Sequence, residues 1–277
     1  MRFVDLDALA GMVPPDAVVA IPPDNSATPS SLARALARAR LSGAGYAISL
    51  IGVPVSGYAT DLLIGTGCVA EIQSSAVSLD EAGSAPCFTR AVKAGTLRMR
   101  DATCPAMHAM LEAAAKGIPF IPIRGILGSD LLAHRTDWKV IENPFQPGDP
   151  IVLLPALAPD IALFHAALAD QEGNVWVGRH RELAVMAHAA RRSLVTVERI
   201  VERSLIEDEL LAPGTISAAY IEAIALAEHG AWPGGLTDEY PDDEAHLAEY
   251  AALARTEEGF RAYLARYVYP APAEAAE

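Results

Sequence analysis

The stretch DIALFHAALADQEGNVWVGRHRELAVMAHAARRSLVTVERIV, Asp160–Val201, decides the fold. Ile161–Phe164 is an apolar strand that runs into His165. The polar turn Asp170-Gln171-Glu172-Gly173-Asn174 hands the chain to a short Val175-Trp176-Val177 strand. A helix follows, and Leu194–Val197 is a second buried strand. Strand–helix–strand is the unit of a parallel sheet.

Working outward, the N-terminal half has the same pattern. Ala17–Ile21 is a short apolar run closed by Pro22-Pro23 and reads as a buried strand. After the polar turn Asp24-Asn25-Ser26-Ala27, Thr28 is the expected N-cap of a helix with Pro29 at its first position. The helix runs through SSLARALARARL, with Leu32 and Leu36 on one face and Arg34 and Arg38 on another. Tyr46–Val53 is the next buried strand, and Val69–Ala76 and Leu97–Arg100 are further candidates. Pro105–Lys116 is an amphipathic helix that Gly117 ends. Pro119 and Pro122 make Ile118–Ile123 an edge strand or an extended segment. After a Pro/Gly-rich loop, Ile151–Leu154 is expected to restart the sheet. Asp242 to about Val268 reads as a polar helical arm. The expected fold class is α/β, a layered and mostly parallel sheet. Residues 1–240 form its domain, and 241–277 an arm that packs on that domain or on a partner.

Composition narrows the function. The chain has 277 residues, 52% apolar and 20% charged, enough for one large domain with a full core. Its net charge of −14 argues against nucleic-acid binding, since nothing offsets phosphate repulsion. Three cysteines, Cys68, Cys87 and Cys104, lack metal-type spacing and fit a reducing compartment. The start MRFVDLDALAG does not read as a signal peptide, since no basic region precedes an apolar run, and no apolar run reaches the ~18 residues of a membrane span. A soluble cytoplasmic protein is expected, with no metal and no membrane partner.

In open α/β sheets, ligands lie beyond the carboxyl ends of the strands. Three segments lie at such places. The first is Pro22–Ser26, where a helix N-terminus offers backbone N–H groups to an anion. There Asn25 and Ser26 supply side-chain donors, or form an Asx-type turn that caps the helix. The second is Arg124-Gly125-Ile126-Leu127-Gly128-Ser129-Asp130. Its glycines permit a tight turn, and Ser129 is the expected N-cap of the turn that follows. Arg124 either pairs with a carboxylate or phosphate ligand or pins the loop to an acid or carbonyl. The third is Asp101–His108, with Asp101 and His108 as candidate bases and Cys104 read as packed rather than nucleophilic. His165 reads as a satisfied core or interface histidine, and His180 and His188 are too far apart for one metal.

The turn at 169–175 and the strand at 195–201 resemble the patterns ADxxGNV and VTVExIV of the family I coenzyme A transferases, α subunit, glutaconate type. Gly117–Leu132 resembles the family's GxPFxPxRGxxGSDL, and Glu81–Pro86 its ExGxAP. Gly230–Val268 resembles GAHP…HxxEY…EGFxxYLxxYV. The resemblance implies an α subunit that works with a β-type subunit, in an α2β2 assembly. It also implies a covalent mechanism in which a glutamate on the β subunit carries coenzyme A, so that Glu81 is not that nucleophile. The substrates would be a coenzyme A ester and a carboxylic acid, with no permanently bound cofactor. Asn25, Ser26, Arg124, Gly125, Gly128 and Ser129 would line the acyl site. Three departures stand out. Pro22-Pro23-Asp24-Asn25 replaces a Gly-Gly-Phe type loop, and proline has no N–H to donate. Trp232 stands where His is common. A ring-cleaving hydrolase branch is expected to use a Glu near residues 101–108, where this chain has none. A hydrolase on the same scaffold, or a subunit that only binds coenzyme A esters, are the alternatives.

Overall fold

The computed structural model describes residues 2–269. In chain order, β1 (Arg2–Phe3) and α1 (Leu6–Gly11) precede β2 (Val18–Ile21), α2 (Ser30–Leu41), β3 (Ile48–Gly52), α3 (Tyr58–Gly65) and β4 (Val69–Ser74). Then come α4 (Pro86–Ala94), β5 (Arg98–Asp101) and α5 (Cys104–Ala115). Strands β6 (Phe120–Ile123), β7 (Lys139–Glu142) and β8 (Pro150–Pro155) follow, with the single turn α6 (Leu131–His134) between the first two. Alternation resumes with β9 (Ile161–Asp170), β10 (Val175–Trp176), α7 (Arg181–Ala189), β11 (Arg192–Val201), β12 (Thr215–Ile216) and β13 (Ile221–Leu226). Helices α8 (Glu244–Leu253) and α9 (Glu257–Tyr267) complete the described chain.

The central sheet runs β1-β13-β11-β9-β2-β3-β4-β5, all parallel, with β10 and β12 added antiparallel. Both faces are covered, and side-chain alternation divides each strand between two cores. Val19, Ile21, Leu50, Ile161, Leu163 and Leu194 face one core with helices α1–α4, α8 and α9. Ala20, Ile51, Ala162, Phe164, Val195 and Val197 face the other, with α5 and α7. The fold is a layered α/β domain with a mostly parallel sheet.

Three local expectations are corrected. Thr28 does not cap α2, whose N-cap position is Pro29. Its hydroxyl turns back and donates to the Pro23 carbonyl at 2.6 Å, closing the preceding loop. Strand β9 does not stop near His165 but continues to Asp170, paired with β11 as far as Val201, and the ring nitrogens of His165 find partners inside the sheet. Residues 151–154 do not rejoin the parallel sheet. They form part of β8, the centre of a separate antiparallel sheet ordered β6-β8-β7. Pro122, which cannot donate, lies in its edge strand β6.

The two C-terminal helices pack against the core of α1–α4. Phe260, Tyr263 and Leu264 bury the apolar stripe of α9. Polar groups fix this arrangement. Asp61 accepts from the Phe88 N–H at 2.7 Å and from the Tyr250 hydroxyl at 2.7 Å. The hydroxyls of Tyr58 and Tyr263 lie 2.8 Å apart, and His246 Nε2 is 2.7 Å from the latter. Trp232 joins the same tie, its Nε1 donating to Asp243 at 3.0 Å while Arg34 lies over its ring.

Candidate functional site

Strand order reverses between β2 and β9: from β2 the chain adds β3, β4 and β5 on one side, and β9, β11 and β13 on the other. That switch point opens a crevice at the carboxyl ends of the strands. The Pro22–Thr28 loop lies across it. The His165 N–H on β9 donates to the Ala27 carbonyl at 2.9 Å, which ties the loop to the neighbouring strand. The expected free N–H groups at the start of α2 are partly engaged. Ser31 N–H donates to Gly230 O at 2.9 Å, because the loop after β13 folds over the helix end.

Asp24 is the unusual residue of this loop. Its Oδ2 accepts from the Tyr58 N–H at 2.6 Å, capping α3 from a distant segment. Any side chain at Gly57 would collide with this carboxylate. Oδ1 is buried without a partner. Burial, followed by the charge of Asp80, raises its pKa from 3.8 to about 7, against the lowering effect of the Tyr58 N–H. In the sequence, Asp24 stands out only as one of the residues that replace the Gly-Gly-Phe type loop.

Deeper in the crevice, His165 is fully buried between Thr196 Oγ1, 2.9 Å from Nδ1, and Glu198 Oε1, 2.7 Å from Nε2. Glu198 also accepts from the Tyr240 hydroxyl at 2.7 Å and from the N–H groups of His229 and Gly230 at 2.8 and 3.1 Å. Burial raises its pKa, but the hydrogen bonds from His165, Tyr240 and His229 outweigh it and hold the carboxyl at about 2. Gly230 must lack a side chain, since a Cβ there would meet the His165 ring.

Beside His165 lies a cavity of about 450 Å³, lined among others by Ala27, Trp176, Arg179, His180 and Thr237. His180 Nδ1 is 3.1 Å from Glu182 Oε1, and its Nε2 is 3.2 Å from Thr237 Oγ1. Burial raises the pKa of Glu182, but hydrogen bonds from His180 and Ser26 bring it below its ordinary value.

The residues singled out in sequence fall into three places. Asn25 is exposed and Ser26 buried, both in the switch-point loop. Arg124, Gly125, Gly128 and Ser129 lie in the loop after β6, in the small sheet. There Arg124 Nε donates to Asp149 at 2.9 Å, Asn143 donates to the same carboxylate, and Ser129 Oγ accepts from the Leu131 N–H. Arg124 and then Asn143 hold Asp149 at a pKa of about 2. Gly128, at φ +78°, needs glycine's freedom. Asp101 is exposed at the end of β5, and His108 is half-buried on α5, one helix turn beyond the exposed Cys104. Among the described residues, no side-chain hydrogen bond or ion pair joins either of these groups to the Pro22–Thr28 loop. In the sequence Glu198 appears only as the glutamate of the VTVExIV pattern, with no role attached, and the His180–Glu182–Thr237 set carries no signal of a site. Their partners are up to 57 positions apart and form no local motif.

The family model for coenzyme A transferase matches residues 7–224. An Archaeoglobus fulgidus protein described as uncharacterized is 34% identical over 76% of this chain, and the match spans 47% of that longer protein. The A-type subunit of glutaconate CoA-transferase from Acidaminococcus fermentans is 30% identical over 76% of this chain and 70% of its own length. The crystal structure of glutaconate coenzyme A-transferase from the same organism superposes with a TM-score of 0.89 at 26% identity. It covers 97% of this chain and 89% of that one.

Proposed function

The chain belongs to the coenzyme A transferase family as an α-type subunit, and from that premise we propose that it forms half of an active site with a β-type partner. The complex moves coenzyme A between an acyl-coenzyme A and a carboxylic acid. A glutamate on the partner attacks the thioester and then carries coenzyme A as a glutamyl thioester. The observation that carries this reading is the state of Glu198. Glu198, buried beside His165, accepts from four donors, so its lone pairs are committed and it is a poor nucleophile. That state supports placing the attacking carboxylate on the partner, as the family resemblance implies.

In this reading the present chain supplies one wall, with Asn25 and Ser26 from the switch-point loop and Arg124, Gly125, Gly128 and Ser129 from the small sheet. Asp101 and His108 are its candidate bases. The assembly is α2β2, the coenzyme A ester is a substrate rather than a resident cofactor, and the three free cysteines suit work in the cytoplasm.

A hydrolase on the same scaffold is the second reading, favoured by the same loop. Pro22 and Pro23 bring no N–H to an oxyanion, and Asp24, titrating near 7, can give or take a proton there. An exchange assay separates the two. The complex is given an acyl-coenzyme A and an isotopically labelled carboxylic acid. Label entering the coenzyme A ester identifies the transferase. Free coenzyme A without exchange identifies the hydrolase.

A further inference from the structure

We propose that Glu182, His180 and Thr237 form a hydrolytic relay of this chain's own, which cleaves small anionic acyl thioesters in the cavity beside His165. The inference goes beyond the transferase reading and does not need it.

The geometry fixes each role. Glu182 is an acceptor, so His180 Nδ1 carries the proton and donates to Oε1 at 3.1 Å. Nε2 is then left with its lone pair, and 3.2 Å away stands Thr237 Oγ1, whose O–H is free to donate to it. Carboxylate, imidazole and hydroxyl in this order are the arrangement that activates a hydroxyl nucleophile. His180 and Thr237 both line the cavity. The neighbouring Asp238 also lines it and holds a positive φ of +65°. Among the described residues, the main-chain N–H groups of Thr237 and Asp238 have no protein acceptor. They are available to a developing oxyanion at the nucleophile.

The cavity indicates the substrate class. At about 450 Å³ it has room for a short acyl chain. Arg179 and Arg181 stand exposed on its wall, and among the described residues neither makes an ion pair. Two uncommitted guanidinium groups favour an acyl group or carrier with a carboxylate or phosphate.

In the reaction, Thr237 Oγ1 bonds to the thioester carbonyl carbon as its proton passes to His180 Nε2. The C–S bond breaks, and the leaving thiolate takes that proton. A water then attacks the acyl-threonine ester, giving its proton to Nε2. The C–O bond to Thr237 breaks, and Oγ1 recovers the proton. The sum is thioester plus water to carboxylic acid plus thiol.

The test uses the full chain with succinyl-coenzyme A and with acetyl-coenzyme A. Thiol release is followed, and acid-quenched samples are mapped by mass spectrometry. The expected result is faster release from the anionic ester and a succinyl group on Thr237. Thr237→Ser should retain the adduct. Thr237→Val, nearly isosteric, and His180→Gln should each lose about 100-fold or more in rate, the usual scale of positioned acid–base and nucleophilic help. Release no faster than in buffer overturns the proposal, and so does release unchanged in folded Thr237→Val or His180→Gln. In a complex with the β-type subunit, an adduct only on the partner's glutamate overturns the relay and leaves the transferase reading standing.

Discussion

His165 Nε2 and Glu198 Oε1 lie 2.7 Å apart at the floor of the crevice, on neighbouring parallel strands. The pair joins β9 and β11 to the loop after β13, because Glu198 also holds the N–H groups of His229 and Gly230. Removing one partner leaves a buried polar group without its complement. Glu198→Ala is expected to destabilise the fold by roughly 3–5 kcal/mol, read from the midpoint of urea unfolding.

The same pair sets an acid limit. Glu198 has its pKa lowered from 4.5 to about 2 in the fold. A lowered carboxyl contributes stability above its unfolded pKa and loses it as pH falls through the folded one. Stability should therefore fall between about pH 4.5 and pH 2, and Glu198→Gln should flatten that part of the profile. Thermal melts across this range check it.

Asp24 works in the opposite direction. Its folded pKa is raised from 3.8 to about 7. Between those values the folded chain keeps a proton that the unfolded chain has released, so stability from this group is lost as pH rises. Asp24→Asn should match the native protein below about pH 4 and exceed it at pH 8 by up to about 4 kcal/mol. Paired urea titrations at the two pH values give the difference directly.

The arm of α8 and α9 hangs on Tyr250. Its hydroxyl donates to the buried Asp61 at 2.7 Å. Tyr250→Phe leaves that carboxyl one donor short and should cost about 1–3 kcal/mol, measured by chemical denaturation.

Arg124 offers a functional discrimination. It is engaged by Asp149 in the present structure. If it serves by holding the loop, Arg124→Ala and Asp149→Ala should change the KM for the acyl-coenzyme A equally. If it contacts the substrate, Arg124→Ala alone should raise KM.

The strands were legible because parallel strands buried on both faces read as short apolar runs, as at Ile48–Gly52 and Ile161–Phe164. The small sheet was only half legible. Exposed Lys139–Glu142 carries no burial pattern, and Ile151–Leu154 looks like any other buried strand. The loop at Pro22–Ser26 was placed from its position after a strand. The crevice floor was not. Glu198 is drawn to Tyr240 and His229 only by the return of the chain after β13, and His180 meets Thr237 only across the cavity. Periodicity reports burial, and these pairings depend on long-range topology.

Trapping the intermediate tests the division of the active site most directly. The chain and the proposed β-type subunit are incubated with an acyl-coenzyme A, treated with borohydride or hydroxylamine, and mapped by mass spectrometry. The expected result is one modified glutamate on the partner, formed only when this chain is present. Turnover with every partner glutamate unmodified would contradict it.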